Sequence, residues 1–105
     1  MLNELSQEIY NNAVSHGWWD KEREFPEIIA LCHSELSEAL EEYRNGKPMY
    51  YEKNSKPEGI AVEMIDCIIR ILDWAGHEDL DVDDILHWKM EYNKNRPYRH
   101  GGKVI

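Results

Sequence analysis

Basic residues are scarce in this sequence: 12 Lys and Arg stand against 21 Asp and Glu, for a formal charge of −9. Proteins that bind nucleic-acid polymers carry a basic surface that neutralises the phosphates, so this balance argues against such a protein. A small anionic ligand is still compatible with it if metal ions or a local basic patch screen the repulsion. Such a patch lies in residues 89–105, which hold five basic residues against one Glu: Lys89, Lys94, Arg96, Arg99 and Lys103.

Cysteine is also scarce, and neither Cys32 nor Cys67 belongs to a Cys-x-x-Cys or Cys/His metal-binding spacing. Both lie in apolar helical patterns, which favours buried, reduced thiols. No apolar run is long enough to span a membrane, and the first ten residues lack the basic and apolar parts of a signal peptide. We therefore expect a cytoplasmic protein with no membrane partner.

Strand-like alternation is missing too, and no internal repeat is found. With 105 residues, 42% of them hydrophobic, the chain predicts one globular domain that spans residues 1–105. A core of this size is modest, which favours burial of further surface in an oligomer.

Helical periodicity fills the chain instead and predicts an all-α fold of four helices. The first begins near Leu2 and ends near Gly17, and the second runs from Pro26 to Gly46. The third opens with Ser55-Lys56-Pro57-Glu58, which has capping-box spacing, and continues to about Ala75. The fourth starts at Asp81 and stops at Arg96 before Pro97, and residues 47–56 form a polar loop.

The third helix is apolar in nearly every direction, which predicts a buried helix. Yet it carries a narrow charged stripe at spacings of three and four: Glu63, Asp66, Arg70 and Asp73. Arg70 and Asp73 are expected to neutralise each other, which leaves Glu63 and Asp66 in need of a cation. A purely structural network of ion pairs is the alternative.

The second helix carries a matching acidic face. Glu35 and Glu38 continue the face that begins with Ile28 and Leu31, although a solvated Glu-rich face is the alternative. Consecutive helices joined by a short loop are expected to pack antiparallel, which would bring two pairs of carboxylates together. Four ionised carboxylates repel one another, and oxygen ligands suit Mg²⁺ or Mn²⁺ rather than Zn²⁺.

On the fourth helix an apolar stripe turns into Lys89, Asn93 and Arg96. Lys and Arg suit phosphate oxygens, and Asn supplies a neutral donor. A basic last turn that complements the helix dipole is the alternative.

The ordered motifs resemble those of the MazG-like, all-α nucleoside triphosphate pyrophosphohydrolases over essentially the whole chain. The family's E-x-x-E and E-x-x-D motifs read Glu35-Leu36-Ser37-Glu38 and Glu63-Met64-Ile65-Asp66. Further similar segments are His16-Gly17-Trp18-Trp19-Asp20, Lys56-Pro57-Glu58-Gly59-Ile60, the run from Lys89 to Pro97, and His100-Gly101-Gly102-Lys103.

This resemblance implies a four-helix MazG-like bundle that hydrolyses a (deoxy)nucleoside triphosphate to the monophosphate and pyrophosphate, in nucleotide-pool house-cleaning. It implies catalytic, Mg²⁺-binding roles for Glu35, Glu38, Glu63 and Asp66, with Mn²⁺ as a substitute. Phosphate binding would fall to Lys89, Asn93 and Arg96, and base stacking to Trp18 and Trp19. A homodimer or homotetramer is also implied.

Two other interpretations remain open at this stage. The first is a non-catalytic helical module that binds nucleotides or a partner protein. The second is a structural acidic bundle that dimerises through Ile28, Leu31 and the third helix. Mg²⁺ separates the last from the others, because only a carboxylate metal site is stabilised by the ion through mass action.

Overall fold

Four helices and one short hairpin make up the computed structural model, which describes residues 1–98. The elements are α1 (Leu2–Ser15), α2 (Phe25–Arg44), β1 (Tyr51–Lys53), β2 (Lys56–Glu58), α3 (Ile60–His77) and α4 (Val82–Lys94). The mostly helical fold class is thereby confirmed. Arg99, His100 and Lys103 of the basic tail lie outside the described residues. No helix within residues 1–98 is long and apolar enough to cross a bilayer.

Helix α3 is the centre of the structure and packs against both α1 and α2. The core between α2 and α3 consists of Ile28, Cys32 and Cys67, with Trp19 and Trp74 packed on it. Both cysteines are buried free thiols, as predicted. Gly76, expected to end α3, instead lies within it, where an added Cβ would stand 2.7 Å from the Tyr10 Cβ. The glycine therefore permits the close approach of α1.

The segment predicted as a polar loop and capping box is a β-hairpin, so the expectation of no strand was wrong. Its two turn residues, Asn54 and Ser55, have φ of 53° and 65°. Positive φ at both positions matches the twist of antiparallel strands, and Lys53 pairs with Lys56 across the turn. The sequence concealed this turn because Ser stands where Gly is usual. Helix α3 consequently begins at Ile60 rather than near Ser55.

Helix α3 is not covered on all sides within one chain, contrary to the prediction of a buried helix. Ile65, Ile68 and Ile71 are each about half exposed, at 51%, 49% and 45%. The reason is the position of α4, which packs on α1 instead of closing a bundle over α2 and α3. The radius of gyration is 16.5 Å, against about 13 Å for a compact domain of this length.

The start of α4 is fixed by acidic side chains. Asp81 caps the helix as predicted, because its carboxylate accepts the Asp84 N–H at 3.0 Å. Asp83 accepts the N–H of Leu2 at 2.8 Å and that of Asn3 at 3.3 Å. These two hydrogen bonds satisfy free N–H groups at the start of α1, so they join α1 to α4.

We expect Asp83→Ala to loosen α4 without unfolding the other helices. The substitution removes the acceptor for both α1 N–H groups, and α4 has little other packing in the described structure. Hydrogen exchange should accelerate in residues 82–94 while α3 keeps its protection. Glu78→Ala, also acidic and exposed in the same connection, is the control. Unchanged exchange in α4 would show that this contact does not hold the helix.

Candidate metal centre

Helices α2 and α3 bring three predicted ligands together. Glu35, Glu63 and Asp66 each present a carboxylate oxygen, and these oxygens all lie within 4.8 Å of one another. Glu35 is buried, and the other two are half-buried. The three-residue step from Glu63 to Asp66 places both side chains on the face of α3 that meets α2. The juxtaposition predicted from the two motifs is therefore present for these three residues.

Glu38 lies at the exposed edge of the same cluster. It affects the pKa of both Glu35 and Glu63, although the three carboxylates that approach within 4.8 Å do not include it. All four predicted ligands are thus neighbours, with Glu38 accessible from solvent.

The electrostatics of the cluster are those of crowded carboxyl groups. Burial, together with hydrogen bonds to Glu38 and Glu35, raises the pKa of Glu63 to about 8. Burial and the charge of Glu35 also raise the pKa of Asp66, against the opposing charges of Arg70 and Lys56. Without a cation, Glu63 therefore keeps a proton near neutral pH. A divalent ion would fit this set because every donor is a carboxylate oxygen.

Arg70 pairs across the helices rather than along its own helix. Its Nε donates to Glu35 Oε1 at 2.8 Å, which corrects the predicted pairing of Arg70 with Asp73. Burial alone would raise the pKa of Glu35, but the Arg70 hydrogen bond and the neighbouring carboxyl groups lower it. Asp73 instead accepts the Trp19 Nε1–H at 3.0 Å, and burial raises its pKa. Glu35, the partner of Arg70, and Trp19, the partner of Asp73, are both distant in sequence, so helical spacing does not reveal either pairing.

A cleft of about 390 Å³ opens beside Glu35 and Asp66 and is lined also by Trp18 and Arg70. The Arg23 guanidinium lies 3.5 Å from the centre of the Trp18 ring, and that of Arg70 lies 5.2 Å from it. Trp18 Nε1 is buried and has no hydrogen-bond partner in residues 1–98. A buried unpaired donor costs stability.

Trp19 has a different environment from Trp18, although the sequence suggested the same role for both. Its ring is stacked on His77, with centroids 3.8 Å apart, and it packs on the Ile28 core. Together with the hydrogen bond to Asp73, these contacts hold Trp19 between the helices. Of the two, Trp18 is the one that lines the cleft beside the carboxylates.

The predicted phosphate-binding residues of α4 are not brought to this cluster within one chain. Lys89 and Arg96 both lie near the Tyr92 ring, at 4.8 Å and 5.6 Å from its centre. Asn93 is exposed on the same helix, which packs on α1. Within the described chain these side chains therefore do not contribute to the carboxylate cluster.

A second cleft, of about 410 Å³, lies on the other side of the cluster and was not anticipated from the sequence. Glu38 and Glu63 form its inner wall, and the hairpin contributes Lys53 and Lys56. The Tyr51 hydroxyl donates to Glu42 at 2.8 Å, which ties the hairpin to α2 and raises the pKa of Tyr51 to about 12. The sequence feature that could have predicted this cleft is the Asn54-Ser55 turn, which brings Lys53 and Lys56 opposite each other.

Comparison with protein-family models, curated proteins and solved structures gives no match for this chain. The MazG-like resemblance is therefore a prediction that depends on the sequence motifs alone.

Proposed function

We propose that this chain is a MazG-like, Mg²⁺-dependent pyrophosphohydrolase that converts a (deoxy)nucleoside triphosphate to the monophosphate and pyrophosphate. The observation that carries the proposal is the approach of Glu35, Glu63 and Asp66 to within 4.8 Å beside an open cleft. A structural ion-pair network explains less, because Arg70 bonds only Glu35 and leaves two carboxyl groups crowded. The work of such an enzyme is nucleotide-pool house-cleaning in the cytoplasm.

The four carboxylates would hold Mg²⁺, with Mn²⁺ as a substitute. When bound, the ion lowers the pKa of water and stabilises negative charge on phosphoryl oxygens. A carboxylate of the cluster would accept the proton of the water that attacks the α-phosphorus. The bond from that phosphorus to the bridging oxygen breaks, and pyrophosphate leaves with the electron pair.

Trp18 is the base-binding residue in this proposal. Its ring lies in the cleft next to Glu35 and Asp66, at the position where the base and sugar of a nucleotide would stand. Arg23 packs on the Trp18 ring and orients it. Trp19 supports this arrangement from the core rather than by contact with the base.

The enzyme works as a homo-oligomer, a dimer or tetramer. Ile65, Ile68 and Ile71 expose about half of their surface, and large apolar patches of this kind are typical of protein interfaces. In the oligomer, Lys89, Asn93 and Arg96 of one chain bind phosphate at the carboxylates of another.

A panel of canonical and modified nucleoside triphosphates, with Mg²⁺ or with chelator, tests the reaction class. Metal-dependent release of monophosphate and pyrophosphate is expected, and the ranking of substrates identifies the base. If a folded, Mg²⁺-stabilised protein released no pyrophosphate from any substrate, the proposal would fail in favour of a nucleotide- or partner-binding module.

Mixing two impaired variants, assayed at a substrate concentration well below the KM of Arg96→Ala, tests the shared site. We expect Arg96→Ala to raise KM and Asp66→Asn to abolish turnover. Co-refolding the two should restore activity, because mixed oligomers contain a site with both wild-type groups if Arg96 acts in the second chain. Glu38→Gln mixed with Asp66→Asn is the control, because both changes lie in the carboxylate half of the site and no mixed oligomer restores that half. An unchanged KM for Arg96→Ala, or no recovery in oligomers shown to be mixed, would contradict the role in trans.

A further inference from the structure

We propose that the inner face of the β1–β2 hairpin is a pyrophosphate-binding subsite, in which Lys53 and Lys56 bind the β- and γ-phosphates. This inference rests on the proposed function, because it identifies where pyrophosphate, the leaving group of the proposed hydrolysis, is bound. It assigns to the hairpin a role that the sequence motifs give only to α4.

The register of the hairpin places both lysines on one face. Lys53 is directly opposite Lys56, so their Cβ atoms are about 5 Å apart and their side chains leave the same side of the strands. Tyr51 and Glu58, the other directly opposite pair on this face, line the same cleft. The hairpin thus presents its inner face toward Glu38 and Glu63.

Two like charges directly opposite each other are unfavourable unless an anion lies between them. The only recorded ion pair of either lysine within residues 1–98 joins Lys56 to Glu58, with the atoms 3.7 Å apart. The cleft also holds Lys47 and five glutamates, Glu38, Glu41, Glu42, Glu58 and Glu63, so an anion binds the lysines once Mg²⁺ neutralises the carboxylates. Two neighbouring ammonium groups that share one cleft suit the several oxygens of a pyrophosphate.

The hairpin is held in position, which distinguishes it from a mobile loop with surface lysines. Tyr51 bonds Glu42 of α2 at 2.8 Å, and the Ala61 N–H donates to the Met49 oxygen at 2.8 Å. Gly59 has φ of 123°, and a Cβ there would stand 2.6 Å from that same oxygen. These contacts tie both ends of the hairpin to α2 and α3 beside the carboxylates.

The order of the two clefts matches the order of groups in a nucleoside triphosphate. Glu35 and Asp66 border the Trp18 cleft, whereas Glu38 and Glu63 border the lysine cleft. With the base beside Trp18 and the α-phosphate at the carboxylates, the β- and γ-phosphates extend into the lysine cleft. Breakage of the α–β bridge then leaves pyrophosphate on the hairpin.

The test compares Lys53→Gln/Lys56→Gln with Lys21→Gln/Arg44→Gln, which removes two exposed basic residues outside both clefts. Calorimetric titration of inorganic pyrophosphate in Mg²⁺ should show affinity reduced about tenfold or more in the hairpin variant only. The Mg²⁺-induced rise in Tm should be the same in all three proteins. Preference for a triphosphate over the corresponding diphosphate, measured as a ratio of kcat/KM, should also fall in the hairpin variant.

The outcomes separate the two proposals. Pyrophosphate binding that depends on the hairpin lysines, without hydrolysis of any nucleotide by the wild type, would support the subsite and refute the enzyme. Hydrolysis with unchanged pyrophosphate affinity and unchanged phosphate-number preference in the hairpin variant would refute the subsite alone. Absence of Mg²⁺–pyrophosphate binding by the wild-type protein would also overturn the subsite.

Discussion

Asp66→Asn is expected to reduce kcat by well over 100-fold while the protein stays folded. Asp66 is one of three carboxylates whose oxygens approach within 4.8 Å, and the amide that replaces it has no negative charge. Loss of an outer-shell partner already costs about 10- to 100-fold in metal affinity or activity, and loss of a direct ligand costs more. The measurement is release of pyrophosphate at saturating Mg²⁺.

Thermal unfolding distinguishes this effect from damage to the fold. Without metal, Asp66→Asn should unfold at the wild-type temperature or higher, because it relieves repulsion from Glu35. With Mg²⁺, the wild type should gain stability and the variant should gain little. Glu22→Gln, an exposed acid outside the cluster, is the matched control. Full turnover by Asp66→Asn would exclude the metal-site assignment.

The free energy of unfolding of the metal-free protein is expected to fall as the pH rises from about 4.5 to about 8. The folded-state pKa of Glu63, at about 8, exceeds its ordinary value of 4.5, because burial and the hydrogen bonds with Glu38 and Glu35 disfavour the charged form. Between pH 4.5 and 8 the folded state therefore binds more protons than the unfolded state. The contribution of Glu63 to the free energy of unfolding is complete below about pH 4.5 and is lost as the pH rises through 8. The loss is on the order of 2 kcal/mol, allowing for solvent at a half-buried group.

Chemical denaturation at several pH values measures this dependence. Glu63→Gln should flatten it, since the amide cannot ionise, whereas Glu22→Gln should leave it unchanged. Mg²⁺ should affect the wild type most at high pH, because binding must displace the proton below a pH of about 8. The apparent affinity for Mg²⁺ should then rise about tenfold per pH unit between 6 and 8. A Mg²⁺ affinity independent of pH over this range would argue against Glu63 as a ligand.

The sequence by itself determined the helices and the candidate ligands. Apolar spacing, the Asp81 cap and the Glu-x-x-Glu and Glu-x-x-Asp steps depend on neighbours within one or two turns, so they can be read along the chain. The two motifs place the carboxylates at fixed positions on α2 and α3. The expectation that these helices are antiparallel neighbours was then enough to predict that Glu35 lies near Glu63 and Asp66.

Only the tertiary structure decided which groups meet across elements. Arg70 bonds Glu35 rather than Asp73, and Trp19 bonds Asp73, because packing selects partners that lie 35 and 54 residues apart. The Asn54-Ser55 turn depends on left-handed backbone angles that neither residue type demands, so the hairpin and its lysines stayed hidden. The position of α4 on α1 depends on hydrogen bonds that join the first residues of α1 to Asp81 and Asp83, and no periodicity encodes such contacts.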